Sequence, residues 1–356
     1  MEVNYDDRHI FSEFEDPERK RLIAKIHSLH SEVAQVPRAI LYPLWFADMK
    51  ILQKLAAAGE EGSAIHDMLG DCFLLNQGAA QVVPITLKAQ RGLVVIMTAY
   101  MMTINLPQRQ TLKDVKLQAR QRDSFKCKLT GGGPIINRTA YIIPSALQNQ
   151  EDGLLEKKKV WIFLESFWGK ERVSKWKELL LRDSMINVYQ VFNLISLDIA
   201  VNRLWAFGVV ALRPISVNQD QTKMQVAFHW LPLQNGLGNI KQKDKVSILQ
   251  NPFQDLQYRP VETPGDNLYV IARLEDATTP TLVSSGHIFT VKTDDKYERP
   301  LPSFDLLELR WHLSRVAAFQ GAGDNEDGYF DYEYKFDPES GGESDPDSDC
   351  EMTQSF

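Results

Sequence analysis

A chain of 356 residues with 44% hydrophobic and 24% charged side chains has the length and balance of one large globular domain or two modest ones, which excludes fibrous and wholly disordered classes. Its formal charge of −7 is unevenly placed: residues 321–356 hold twelve acidic side chains against Lys335 alone, so residues 1–320 carry +4 and the body is nearly neutral. A dedicated nucleic-acid binder presents a stronger basic excess on its folded part, so nucleic acid is not the expected partner.

Three cysteines, Cys72, Cys127 and Cys350, form no Cys-x-x-Cys pair. Such usage fits a reducing compartment, cytoplasmic or nuclear, and supplies neither a disulfide framework nor a zinc ribbon. The acidic start Met1-Glu2-Val3-Asn4-Tyr5-Asp6-Asp7 has no apolar signal core. The most apolar run, Leu93 to Ile104, is shorter than the roughly 18 residues that cross a bilayer, so it reads as a buried helix or strand and the chain as soluble, with no membrane partner.

In chain order, Asp16-Pro17 predicts a helix start, because an Asp cap satisfies free amides and proline at the first helical position forfeits no bond. Leu22, Ile23, Ile26 and Leu29 share its buried face. Pro37 and Pro43 punctuate the next stretch, Leu44 to Ala58 reads as a second amphipathic helix ending at Gly59, and Ser63 caps a third through Leu75. Thr111 to Arg122 reads as a short helix with a Thr111/Asp114 capping pair. Between Arg109 and Lys128 lie seven basic and two acidic residues, a face that grips phosphates or is simply solvated.

Lys126 to Thr130 and Thr139 to Ile143 read as two strands joined through Gly131-Gly132-Gly133-Pro134. The triple glycine lacks the Lys-Ser/Thr ending of a phosphate loop. Residues 145–192 then form an insertion, with the charged run Glu156-Lys157-Lys158-Lys159, a strand or helix from Val160 to Phe163 and a helix from Glu171 to Arg182. Phe167, Trp168 and Trp176 within it either fill core space or line a pocket. Asp198 caps a helix through Trp205 that ends near Gly208; Val209 to Leu212, Met224 to Trp230 and Ser285 to Lys292 read as strands. Ser303 begins a last helix on which Leu306, Leu309, Leu313, Val316 and Ala317 repeat at helical spacing, with Gly321 as its stop. The acidic remainder has too few apolar residues to fold and is expected to be disordered.

The order and spacing of Cys127, Thr130 and Gly131, of Ala140, Ile142, Ile143 and Pro144, of Asn193 and Leu197, and of Trp205, Gly208, Leu212 and Pro214 resembles the fungal branch of the HNH endonucleases. The signature there runs Cys-x-x-Thr-Gly, Ala-His-Ile-Ile-Pro, Asn-x-x-x-Leu and a His nine residues after the Asn. The likeness continues into Phe228-His229-Trp230-Leu231, Ser285-Gly286-His287 and Leu301-Pro302-Ser303-Phe304, and covers most of residues 110–322. It implies an α+β fold: a ββα-metal-type (HNH-like) core with a helical N-terminal layer, additional strands and a C-terminal helix. In these terms residues 1–108 are the helical layer, 109–322 the HNH-like domain with its insertion at 145–192, and 323–356 the tail.

The family's site clasps one divalent metal between hairpin and helix. One histidine is the general base, the middle asparagine positions base or loop, and a helix histidine helps to hold the metal. In this chain Tyr141 stands at the base position and Asn202 at the helix position. A phenol with a reference pKa near 10 is about one part in a thousand ionised at neutral pH, and an amide oxygen is a weak ligand for a transition metal. His27 and His30 share a helix face, His229 and His287 fall in predicted strands, and none replaces the missing pair.

The nuclease chemistry is therefore expected to be lost. The first expectation is a cofactor-independent, metal-free small-molecule enzyme, a cyclase or pericyclase of Diels–Alderase type or an isomerase, in fungal natural-product assembly. Tyr141 would donate a hydrogen bond, Asn193 and Asn202 would orient the substrate, and Trp205, Trp168 and Trp176 would form the binding wall. The alternatives are a pseudonuclease that binds nucleic acid or a protein through the Arg109 to Lys128 cluster, and residual metal-dependent nuclease activity.

Overall fold

Burial and hydrogen bonding come from a computed structural model that describes residues 12–29, 35–57, 106–143, 159–182, 185–186, 189–206, 208–231, 245–250, 272–274 and 280–319. Helices α1 (Ser12–Glu15) and α2 (Pro17–Leu29) open it, followed by β1 (Gln35–Pro37), α3 (Arg38–Trp45) and α4 (Met49–Ala57). Asp16 caps α2 as expected, its Oδ1 accepting the Glu18 amide at 2.9 Å and the Arg19 amide at 3.2 Å.

The single helix expected over Leu44 to Ala58 is instead two, with Pro43 inside the first. The buried Arg19 guanidinium donates to the carbonyls of Trp45 (2.8 Å) and Ala47 (2.6 Å), taking acceptors that a continuous helix would need. Chain direction is then reset at Asp48, whose amide bonds the Phe167 carbonyl across to another helix.

The next described helix, α5 (Leu106–Arg122), begins five residues before Thr111, so the Thr111/Asp114 pair is interior to the helix and not its cap. After it the chain makes a knuckle rather than the expected Lys126–Thr130 strand. The Cys127 amide bonds the Gly132 carbonyl, the Gly131 amide bonds the Cys127 carbonyl, and Thr130 N donates to Cys127 Sγ at 3.3 Å. Gly131 sits at φ 77°, a left-handed conformation that glycine adopts without strain.

Strand β2 (Asn137–Tyr141) consequently has no hairpin partner in the knuckle. It pairs antiparallel with β5 (Leu194–Asp198), with Asn137 opposite Asp198, Thr139 opposite Ser196 and Tyr141 opposite Leu194. Between the two strands the described residues form α6 (Lys159–Trp168), α7 (Lys170–Leu180), the short β3 (Leu181–Arg182) and β4 (Met185–Ile186) pair, and a 3-10 turn at Val191–Asn193. Val160 to Phe163 is thus helical. Immediately after β5, Asp198 caps α8 (Ile199–Ala206), its Oδ1 accepting the Ala200 amide at 2.8 Å.

Strands β6 (Val210–Val217) and β7 (Lys223–Trp230) form a hairpin that β11 (His287–Lys292) extends to a three-stranded antiparallel sheet in the order β11-β7-β6. Pro214 is tolerated because β6 is an edge strand and its register shifts between Pro214 and Ser216. β8 (Lys245–Ser247) pairs with β1, and β9 (Ala272–Leu274) with β10 (Pro280–Leu282). The last helix, α9 (Phe304–Phe319), is capped by Ser303, whose Oγ accepts the Leu306 amide at 3.2 Å. Trp311 of α9 covers the β7 face that carries His229, with ring centroids 5.0 Å apart.

The architecture is α+β with small antiparallel sheets. One apolar cluster runs from Phe14, Leu22 and Leu52 in the first helices through Trp168 and Trp176 to Phe228 and Leu306, so the helical layer and the later elements share a core. The helix expected at Ser63 to Leu75, the run Leu93 to Ile104 and the acidic tail lie outside the described residues. Among those described, no helix is long and apolar enough to cross a membrane.

Candidate functional site

The β2–β5 ribbon is the middle layer of three. Successive strand residues point to opposite faces, and the ribbon's two apolar sets belong to different clusters. Ala140, Ile195 and Leu197 pack with Val201, Leu204 and Trp205 of α8 in the main core. On the other face Leu194 joins Val191 and Ala119 of α5 in a small separate cluster, against which Val115 and Tyr141 pack. Tyr141 and the apolar residues of α8 therefore belong to different clusters.

The edge of the ribbon is held by a buried ion pair. Arg122, the last residue of α5, grips the neighbouring Asp123 through Nε and an Nη at 2.9 Å each, with both side chains fully buried. The same guanidinium donates to the carbonyls of Leu194 (2.7 Å), Val191 (3.2 Å) and Pro300 (2.9 Å), while Asp123 accepts the Ser196 amide at 2.8 Å. Of the basic cluster between Arg109 and Lys128, Arg122 is thus spent internally, and Arg120 stacks on Phe125 at 5.4 Å.

Asn193 is fully buried and acts as a clamp. Its Oδ1 accepts the Ile143 amide at 2.8 Å and its Nδ2 donates to the Ile143 carbonyl at 2.9 Å, while the Ile142 amide bonds the Asn193 carbonyl. Both ends of the amide are engaged by the backbone that follows Tyr141, so Asn193 positions the end of β2.

Tyr141 itself is packed edge-on against Tyr189, ring centroids 6.4 Å apart. Its hydroxyl is buried and has no hydrogen-bond partner among the described residues. Burial, with a smaller contribution from Tyr189, pushes its pKa well above the ordinary tyrosine value. The phenol is therefore a protonated donor across the physiological range.

The remaining expected residues are dispersed. Asn202 is half-buried on α8. Trp205, also on α8, is buried beneath Arg310 of α9, whose guanidinium lies 4.7 Å from the ring centre. Trp168 and Trp176 are buried 6.2 Å apart, with His312 of α9 at 5.2 and 6.1 Å from their rings. They fill the core beside α9 and make no described contact with Tyr141. The six residues do not form one cluster, and the group around Tyr141 is Tyr189, Val115, Ala119, Val191 and Leu194.

Arg310 was not anticipated. It donates to the Ile142 carbonyl at 2.8 Å and the Trp205 carbonyl at 3.2 Å, joining the end of β2 to the end of α8. No carboxylate pairs with it in the described structure, and burial drops its pKa to about 9. The signal was present in sequence, since Arg310 lies four residues after Leu306 and three before Leu313, inside the apolar stripe of its helix.

The metal that an HNH-type site implies does not fit this donor set. Tyr141 packs in the small cluster while the apolar residues of the Asn202 helix belong to the main core, the Asn193 amide is occupied, and among the described residues no three His, Cys, Asp or Glu side chains converge. No family model matches the chain, and neither a curated protein nor a solved structure is significantly similar to it.

Proposed function

We propose that this chain is a non-nuclease protein built on an HNH-like ββα unit, formed by β2, β5 and α8, and that it acts on a neutral small molecule without metal or cofactor. The observation that carries this reading is the Tyr141 hydroxyl, buried without a partner in apolar surroundings and held protonated. A phenol that stays protonated at neutral pH offers no base to take a proton from water, which removes the general base that phosphodiester hydrolysis needs. As a fixed, neutral donor in a low-dielectric setting it suits the polarisation of a carbonyl or conjugated oxygen on which negative charge develops.

In this reading Tyr141 is the catalytic residue and Asn193 a positioning residue that fixes the strand end beneath it. Val115, Ala119, Val191, Leu194 and the Tyr189 ring hold the hydrocarbon part of the substrate. The reaction class is cyclisation, pericyclic rearrangement or isomerisation, where holding one conformer and polarising one oxygen supplies the rate. The proposed setting is cytoplasmic natural-product assembly in a fungus.

The test compares metabolites from cells carrying the intact gene, no gene, or the Tyr141→Phe form. A compound lost on deletion, and equally lost with Tyr141→Phe although the variant protein accumulates normally, is the expected result. If deletion changes no metabolite, the enzyme reading is wrong.

A further inference from the structure

The face of the ribbon that carries Tyr141 holds more than a phenol. Strand alternation places Asn137, Thr139 and Tyr141 of β2 on one side, together with Leu194, Ser196 and Asp198 of β5. Such a face is ordinarily either apolar and buried or polar and wet. This one is polar and buried at two of its positions, since Asn137 is 2% exposed and Ser196 0%. Neither end of the Asn137 amide nor the Ser196 hydroxyl has a hydrogen-bond partner in the described structure. Leaving even one such group unsatisfied is destabilising, and here three polar atoms lie on neighbouring positions of one face.

The register says why the two side chains do not satisfy each other. Ser196 lies opposite Thr139 and Asn137 opposite Asp198, so Asn137 and Ser196 are diagonal neighbours. Diagonal Cβ atoms on an antiparallel pair are roughly 7 Å apart, which is long for a direct bond between a serine and an asparagine but matches two bonds through one intervening oxygen. Both residues are buried, and backbone lies close on two sides. On one side the knuckle lies against Asp198, the residue opposite Asn137, for a Cβ on Gly132 would stand 2.9 Å from Ile136 Cδ1 and 3.3 Å from Asp198 Oδ2. On the other, the Lys128 amide bonds the Ser196 carbonyl at 3.2 Å and Asp123 takes the Ser196 amide at 2.8 Å.

We infer that Asn137 and Ser196 form an internal binding site for an ordered water molecule, enclosed by the knuckle of residues 127–132 and the end of α5. The guest must be small, neutral and able both to donate and to accept. The carboxamide offers one donor and one acceptor and the hydroxyl offers either, so one water satisfies them by accepting from one side chain and donating to the other. Asp123 brings no free charge to the site because Arg122 grips both its oxygens, and Asp198, opposite Asn137, is turned to the helix it caps through Oδ1. This inference does not depend on the reading of Tyr141 as catalytic.

Thermal unfolding of the full chain tests it. If the pair holds a shared water, Ser196→Ala lowers the unfolding midpoint by roughly 2–4 °C. Asn137→Leu, close to isosteric, lowers it too, and the double variant falls by less than the sum because both lose the same partner. A Ser196→Ala midpoint equal to or above the parent's overturns the inference, since removing a hydroxyl that is truly unpaired relieves a penalty. So does strict additivity of the two changes. Should either variant fail to fold, electron density of the unaltered protein decides. A solvent peak within about 3.2 Å of both Ser196 Oγ and the Asn137 amide supports the site, and direct pairing or a dry gap there overturns it.

Discussion

The two faces of the β2–β5 ribbon are built by the same ten residues yet on opposite principles. Toward α8 the ribbon presents Ala140, Ile195 and Leu197, packed in the main core. Toward α5 it presents Asn137, Ser196 and Tyr141, all with buried polar atoms that no described side chain satisfies. The first face supplies stability through dispersion and burial, and the second holds buried polar groups in a low-dielectric setting where they interact strongly with whatever reaches them. A ribbon can keep a costly face only because the other face and the Arg122–Asp123 pair fix its position independently.

The largest expected effect comes from that pair. Asp123→Ala leaves the Arg122 guanidinium buried without a counter-charge and frees the Ser196 amide, and should cost about 3–5 kcal/mol in denaturant unfolding. A loss below about 1 kcal/mol would mean the ribbon edge does not rely on it. On the core face Leu197→Ala should cost about 2–4 kcal/mol through lost burial and a cavity. The corresponding change on the other face should differ in kind. Tyr141→Phe removes a hydroxyl with no described partner, so stability should stay within about 1 kcal/mol of the parent or rise, while the proposed activity disappears. Equal losses for Leu197→Ala and Tyr141→Phe would erase the distinction between the faces.

The core beyond α8 can be probed through pH. His312 is buried between the Trp168 and Trp176 rings, and burial together with Arg315, Arg172, Arg213 and Arg19 holds its pKa well below the usual 6.5. In the unfolded chain it protonates near 6.5, so the unfolded state binds more protons below that pH. Stability from this group is therefore full above pH 6.5 and is lost as pH falls, by at most about 1.4 kcal/mol per pH unit. Unfolding measured at pH 7.5 and 5.5 should show the loss in the parent and a smaller one in His312→Gln. Identical slopes would place the histidine in a wetter site than its packing indicates.

Local features of this fold were legible in the sequence. Asp16, Asp198 and Ser303 cap the helices expected of them, because capping needs only the two or three following residues. The strand β7 follows from the alternation of Met224, Val226, Phe228 and Trp230, and β6 from the apolar run that starts at Val209. What misled was partnership. Lys126 to Thr130 has strand-like residues near a glycine turn, yet β2 pairs with β5, beyond the insertion, and no periodicity encodes a partner that distant. The break between α3 and α4 arises from Arg19, on a different helix. For the site, Tyr141 and Asn193 were legible through the family resemblance, which put them near one strand end. Which ribbon face each side chain takes depends on what covers that face, so the gathering of Trp168, Trp176 and Trp205 around Tyr141 did not follow from their nearness in sequence.

Helix α9 has a consequence for how the protein is made. Arg310 reaches back to the carbonyls of Trp205 and Ile142, 105 and 168 residues earlier, and Arg315 bonds Glu13 at 2.7 Å across 302 residues. These bonds cannot form on a ribosome until α9 has left the exit tunnel, so Glu13 of α1 waits for a partner 302 residues later and the ribbon end for one 168 residues later. Loops of this length close slowly. During that interval the faces destined for α9 stand open, and truncations that remove it should leave a nascent chain held by chaperones instead of a smaller folded protein.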